Sequence, residues 1–178
     1  MSSERREFFR IDDNVIFDVH PVDAATAEGT DAAAVKVEGP SWAVLEQMHR
    51  VDQRLQAGFS RIASEQPAVA ETMRLVQEKI DLIARHSILS SYQHLPQTRI
   101  SLSEDAIAFK SPRAFYKGSF VLIRMIFLPL ITPVITFAQI IRCESRENSY
   151  NVAAKFHRLD SHMQQVLAKR LIKAQQQA

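Results

Sequence analysis

Residues 119–141, SFVLIRMIFLPLITPVITFAQII, set the strongest limit on what this chain can fold into. The run is almost wholly apolar and, at 23 positions, long enough to span a bilayer as one helix. Three features point elsewhere. Arg124 is costly inside hydrocarbon, Pro129 and Pro133 each interrupt a helix, and Val, Ile, Phe and Thr favour strands. The run therefore reads as two buried strands, 120–128 and 134–143, separated by a proline-bounded break. No membrane span is expected.

The surrounding pattern agrees with a β unit. Residues 99–109 (RISLSEDAIAF) read as strand, short turn at 103–105, strand. Tyr150, Val152, Ala154 and Phe156 alternate with Asn151, Ala153, Lys155 and His157, as in a half-buried strand, after a polar turn at 144–149. Val15 to Val19 supply a first strand, ended by His20-Pro21. The Ala-, Asp- and Gly-rich stretch 23–39 reads as a loop. About six antiparallel strands separated by turns predict a small barrel.

Between the first and second strands the period changes. Val44, Met48, Val51, Leu55 and Ile62 recur at heptad spacing, with Gly58 in the remaining slot, and Val69, Met73, Val76, Ile80 and Ile83 repeat the pattern. These spacings predict helices over 41–63 and 67–90, the first capped by Ser41 and the second opening on Pro67. Each would measure ~30 Å. They either fold back as a hairpin or form one kinked rod. Leu45, Leu75 and Leu82 lie off the seams, which is more apolar surface than a lone pair buries. Self-association into a homo-oligomer is therefore favoured over a hairpin that merely covers the sheet. A last helix follows Asp160, with Met163, Val166, Leu167, Leu171 and Ala174 on one face, and should close or flank the barrel. The chain thus divides into 1–39, an arm and first strand; 40–95, a helical insertion; and 96–178, the rest of the barrel and the terminal helix. The fold class is α+β.

Composition removes several function classes. Lys and Arg number 22 against 20 Asp and Glu, and a net charge of +2 is too small for binding a nucleic acid polymer by charge alone. Cys143 is the one cysteine, which excludes an internal disulfide and a Cys-based zinc site. No apolar stretch follows Met-Ser-Ser-Glu-Arg-Arg, so a cytoplasmic setting is expected. Glycine-rich phosphate loops and the common hydrolase and metalloprotease motifs are missing, and the six histidines lack metal-ligand spacing. Neither catalysis, a metal nor a resident cofactor is expected.

One charged segment is chemically pointed. Glu4-Arg5-Arg6-Glu7-Phe8-Phe9-Arg10 sets three arginines and two aromatics directly before a strand. Guanidinium forks match phosphate oxygens and the O6/N7 edge of guanine, and they stack on purines. A solvated charged terminus is the plainer alternative.

The order Arg5-Arg6-x-x-x-Arg10, a strand, then Ser101-Leu102-Ser103-Glu104-Asp105-Ala106-Ile107 resembles the PilZ domain family. The similarity continues through Lys117-Gly118-Ser119-Phe120, residues 151–156 and the terminal helix, and covers 3–22 and 99–176. The resemblance implies a six-stranded PilZ-like barrel that binds cyclic di-GMP. Its Arg-x-x-x-Arg motif falls on Arg6 and Arg10, with Arg5 as the additional arginine, and grips phosphates and guanines. Its second motif, Asp/Asn-x-Ser-x-x-Gly, falls on Ser101, Ser103 and Ala106; serine replaces the acid or amide and alanine replaces the glycine. The implied nucleotide-binding residues are Arg5, Arg6, Arg10, Ser101 and Ser103. The implied role is a second-messenger receptor that oligomerises through its inserted helices and acts on a protein effector. The alternative is a degenerate PilZ-like scaffold that no longer binds the nucleotide.

Overall fold

A strand pair reads as one continuous apolar run when both of its faces are covered. In the computed structural model, which describes residues 10–37, 42–92, 95–128, 131–159 and 161–175, the run forms two such strands. The strands are β1 (Ile11–Val22), β2 (Gln97–Leu102), β3 (Ala106–Ser111), β4 (Phe120–Phe127), β5 (Thr132–Arg146) and β6 (Ser149–His157). They close into an antiparallel barrel in the order β1-β2-β3-β6-β5-β4. Val121, Ile123, Met125 and Phe127 of β4 fill the barrel with Val15, Phe17, Ile107 and Phe109. Leu122 and Ile126 of the same strand face outward, yet they too are buried, against Trp42, Leu45, Ile88 and Tyr92. Those four residues come from the roots of the helical insertion. The insertion thus acts as a second layer, which is why the run shows no alternation.

The helices are α1 (Ala24–Gly29), α2 (Trp42–Glu65), α3 (Pro67–Tyr92) and α4 (Ser161–Gln175). α2 and α3 fold back on each other: Gln77 Nε2 on α3 donates to Asp52 Oδ1 on α2 at 3.3 Å. Gln66 alone separates them, and Pro67 takes the first position of α3, where its missing N–H costs nothing. The Ser41 and Asp160 caps lie outside the described residues.

α4 stops one end of the barrel, with Met163, Leu167 and Leu171 joined to the interior cluster. Arg170 pins it there. Its Nε and Nη2 donate to the Asp13 carboxylate at 2.7 and 3.1 Å, and Nη2 also reaches the Leu128 carbonyl at 2.9 Å.

Three expectations need correction. The polar turn expected at 144–149 is only residues 147–148, because β5 runs to Arg146 and β6 begins at Ser149. β1 does not end at His20-Pro21 but runs to Val22 beside β4, with Pro21 opposite Val121. The Phe17 N–H donates to the Pro96 carbonyl, so alternation turns the nitrogen of Pro21 the same way, away from β4. The pairing of β1 with β2 stops at Ile16, so nothing on that side asks Pro21 for a hydrogen bond. β5 tolerates Pro133 for the same reason, because its pairing with β6 begins only at Phe137. The stretch 23–39 is also more than a loop. Asp23 caps α1 by accepting from the Thr26 N–H at 2.7 Å, and Asp31 caps a 3-10 turn, Ala32–Ala34, by accepting from Ala33 at 3.1 Å.

Candidate functional site

Outward positions on five neighbouring strands fall into one row. Asp12 lies opposite Ser101, Ser101 opposite Ala108, Ala108 opposite Ala153, and Ala153 opposite Arg142. The three central residues are small, so the sheet offers a flat shelf where a planar ring can approach the backbone closely. The row above it carries Arg99, Lys110 and Asn151. Together they frame a concavity of about 260 Å³.

The rim is basic but not bare. Arg99 pairs with Asp12 at 2.7 Å and Arg142 with Glu144 at 3.6 Å, and all four are solvent-exposed. Exposed pairs of this kind are worth about 0–1 kcal/mol. An anionic ligand that offers a bidentate contact therefore competes for both guanidinium groups at small cost.

The motif residues are distributed unevenly around the shelf. Ser101 is part of its floor. Arg10 is exposed and immediately precedes Ile11, whose register partner is Leu102, so Arg10 stands at the shelf's edge. Arg5 and Arg6 lie outside the described residues. Ser103 plays a different part: it is buried, its hydroxyl accepts from the Ala106 N–H at 3.1 Å, and it contacts Asp105 Oδ1 at 3.1 Å. It holds the β2–β3 turn. Ala106 begins β3 without a positive φ, which among the described non-glycine residues occurs at Ile131, Glu147 and Arg158. The backbone there does not require glycine. Its methyl group matters only through what comes near it from outside.

Sequence reasoning did not single out Arg99, Lys110, Arg142 and Asn151. Each is an ordinary polar residue at an alternating strand position. Only the insertion of β6 between β3 and β5 brings them together.

A second polar cluster joins the barrel to the helix pair. Arg124 on β4 lies directly opposite Asp18 on β1 and is ion-paired with it. His20 Nε2 sits 2.8 Å from Asp18 Oδ1 and 3.2 Å from Arg124 Nη2. The Arg124 guanidinium lies 5.1 Å from the Trp42 ring centroid, and Trp42 meets Tyr92 edge-on at 5.2 Å. Burial works against the Asp18 carboxylate, but hydrogen bonds from His20 and Arg124 outweigh it and hold its pKa below 3.8. Burial pushes the Tyr92 hydroxyl up to about 12, against the opposing charge of Arg124. Trp42 and Tyr92 are the first residue of α2 and the last of α3. Both roots of the helix pair therefore close over one buried cation.

Among the described residues no cluster of His, Cys, Asp and Glu is arranged to hold a metal ion. No helix among them is long and apolar enough to cross a membrane.

No family model and no curated protein matches the sequence. Solved structures do match. A pathogenic protein from Xanthomonas campestris, described as a new tetrameric PilZ domain self-assembled via an unusual helical bundle, aligns at TM-score 0.66 and 14% identity. The alignment covers 97% of this chain and 90% of that one, so the helical insertion is shared as well as the barrel. The Bacillus subtilis inhibitor of motility MotI/DgrA aligns over 46% of this chain and 43% of its own, at TM-score 0.40 and 18% identity. The first likeness establishes the fold: a PilZ-type barrel carrying a long helical insertion.

Proposed function

We propose that this PilZ-fold chain is a self-assembling regulatory protein that binds cyclic di-GMP on the outer face of β2, β3 and β6. The observation that carries the binding half is the Ser101–Ala108–Ala153 shelf under its rim of Arg99, Lys110 and Arg142, entered by the chain at Arg10. A guanine fits such a floor face-on, and the phosphates meet guanidinium and ammonium groups at its margin. Arginines of the segment before β1 add charge-assisted contacts to the bound phosphates, and the occupied site changes the surface offered to a protein effector.

The self-assembly half rests on the helix pair. Val44, Val51, Val76, Ile80 and Ile83 are exposed along one side of it. Each is about half exposed, so burying the remainder contributes roughly 1 kcal/mol apiece, and a helix of another copy is the surface that matches their heptad period. The Xanthomonas campestris protein, described as assembling through a helical bundle, supports the same use of the insertion.

Calorimetric titration with cyclic di-GMP tests the binding half. Saturable heat is expected, and Arg10→Ala should weaken binding by about 10- to 100-fold, the equivalent of one charge-assisted contact. Absence of heat at high micromolar ligand overturns it.

The engaged hydroxyl of Ser103 favours a second reading, a scaffold in which the nucleotide site is vestigial. Ser101→Asp separates the two. On the binding reading a carboxylate restored to the shelf floor tightens affinity about tenfold, by adding an acceptor for a guanine N–H. On the scaffold reading the variant stays silent.

A further inference from the structure

Residues 112–119, which join β3 to β4, cross the end of the barrel opposite α4 and are fixed at successive points. Phe115 fills the interior edge-on to Phe109 at 6.5 Å, and its N–H donates to Cys143 Sγ at 3.4 Å. The Gly118 N–H donates to the Ile140 carbonyl at 2.8 Å. Those two bonds lay residues 115–118 alongside β5 from Ile140 to Cys143. The Ser119 N–H donates to the Tyr116 carbonyl at 3.1 Å, closing a tight turn. Gly118, with φ +85°, takes the third position of that turn, where a type II geometry needs a positive φ. Arg113 lies 5.3 Å from the Phe115 ring centroid and donates to the Val19 carbonyl.

Held in this way, Tyr116 is 88% exposed, the highest value of any large apolar or aromatic side chain among the described residues. On the strand beside it, Ile141 is inserted where the pairing of β5 with β6 breaks register, and it is 47% exposed. An aromatic ring on an already ordered backbone loses little conformational entropy when a partner covers it, and tyrosine is enriched among the residues that carry binding energy. The charge around the two side chains has one sign. Residues 112–119 and 140–144 hold Arg113, Lys117 and Arg142 against one carboxylate, Glu144, which is already paired with Arg142 at 3.6 Å. Three cations around two apolar side chains match an acidic segment that carries an apolar side chain of its own. A bilayer fits less well, since polybasic membrane sites gather about four to eight Lys and Arg.

We propose that Tyr116, Lys117 and Ile141, flanked by Arg113 and Arg142, are the contact surface for an acidic segment of a protein effector. The segment sets an aromatic or aliphatic side chain against Tyr116 and Ile141 and its carboxylates against the three cations. This rests on the reading of the chain as a regulator that acts through a protein, and it supplies the surface and the partner's chemistry.

Selection of a random twelve-residue peptide library on the full chain, without nucleotide, tests it. The enriched peptides should be net negative and carry an aromatic residue or leucine. In fluorescence anisotropy with a labelled copy of the most enriched peptide, Tyr116→Ala and Lys117→Glu should each weaken binding about tenfold or more. Tyr116→Phe should bind within about threefold of the wild type, because the ring remains. Ile172→Ser, at an exposed position on α4, should leave the affinity unchanged. Enrichment of basic or uncharged peptides, no enrichment, or acidic peptides that bind both loop variants like the wild type would overturn the proposal. Co-sedimentation with phosphatidylglycerol vesicles that is lost in Tyr116→Ala would give the surface to a membrane and overturn it too. Because the selection uses no nucleotide, its failure leaves the cyclic di-GMP site standing, and a silent nucleotide titration leaves this surface standing.

Discussion

Arg124→Ala should lower the unfolding free energy by about 3–5 kcal/mol, the cost of breaking a buried ion pair by removing one partner. The side chain is 5% exposed and lies where the barrel meets both roots of the helix pair. Removing it leaves the Asp18 carboxylate, itself 17% exposed, with His20 as its remaining partner, and opens a void beneath Trp42. Urea denaturation followed by tryptophan fluorescence measures the effect at the joint, since Trp42 is the single tryptophan. Asp18→Leu combined with Arg124→Met should cost less than Arg124→Ala alone, because no unpaired charge then stays buried.

The same pair sets an acid limit. The folded-state pKa of Asp18 is below 3.8, so its contribution is fully present above the unfolded-state value and is lost as pH falls through the folded-state one. The Asp18 contribution to wild-type stability should therefore be lost as pH falls below about 4. The Arg124→Ala variant should lose less over that interval. An equal acid loss in both proteins would mean that Asp18 is not held by Arg124.

Ala108→Tyr should abolish ligand binding, weakening it by 100-fold or more, while leaving the melting temperature close to that of the wild type. Ala108 sits at the centre of the shelf, between Ser101 and Ala153. A phenol ring there fills the space a guanine would take, and 100-fold corresponds to about 2.8 kcal/mol. The stability side follows from chemistry. The methyl group points out of the barrel, and tyrosine is favoured on strands. Lys155→Ala, on the same strand as Ala153 but nearer the β2–β3 turn, where it lies 3.9 Å from Asp105, serves as the comparison and should bind nearly as well as the wild type. If Ala108→Tyr binds like the wild type, the ligand sits elsewhere.

Most of the scaffold could be read from local pattern. The heptads of α2 and α3 and the alternation in β6 depend only on neighbours a few residues away, so the chain displays them directly. The 119–141 run was harder, because burial on both faces erases alternation. Arg124 and the two prolines were what separated strands from a membrane helix. The extension of β1 past Pro21 was hidden, since it depends on where the pairing with β2 stops, 75 or more residues along the chain. The helices at 24–34 were hidden for the opposite reason. They bury little, and their signal was the Asp23 and Asp31 caps.

The candidate site was legible only along its motif edge. Arg10 and Ser101 stand at the shelf, Arg5 and Arg6 fall outside the described residues, and Ser103 serves the turn. The basic rim depends on strand order, which residue spacing does not encode. Arg124 stood out as a charge within an apolar run, but its partner lies 106 residues away in the chain.

A crystal structure of the full chain grown with cyclic di-GMP tests the central claim most directly. The account predicts a guanine lying over Ser101, Ala108 and Ala153, with phosphate oxygens within hydrogen-bond reach of Arg10 and of Arg99, Lys110 or Arg142. A ligand bound on another face, or that face left uncovered at saturating nucleotide, would contradict it.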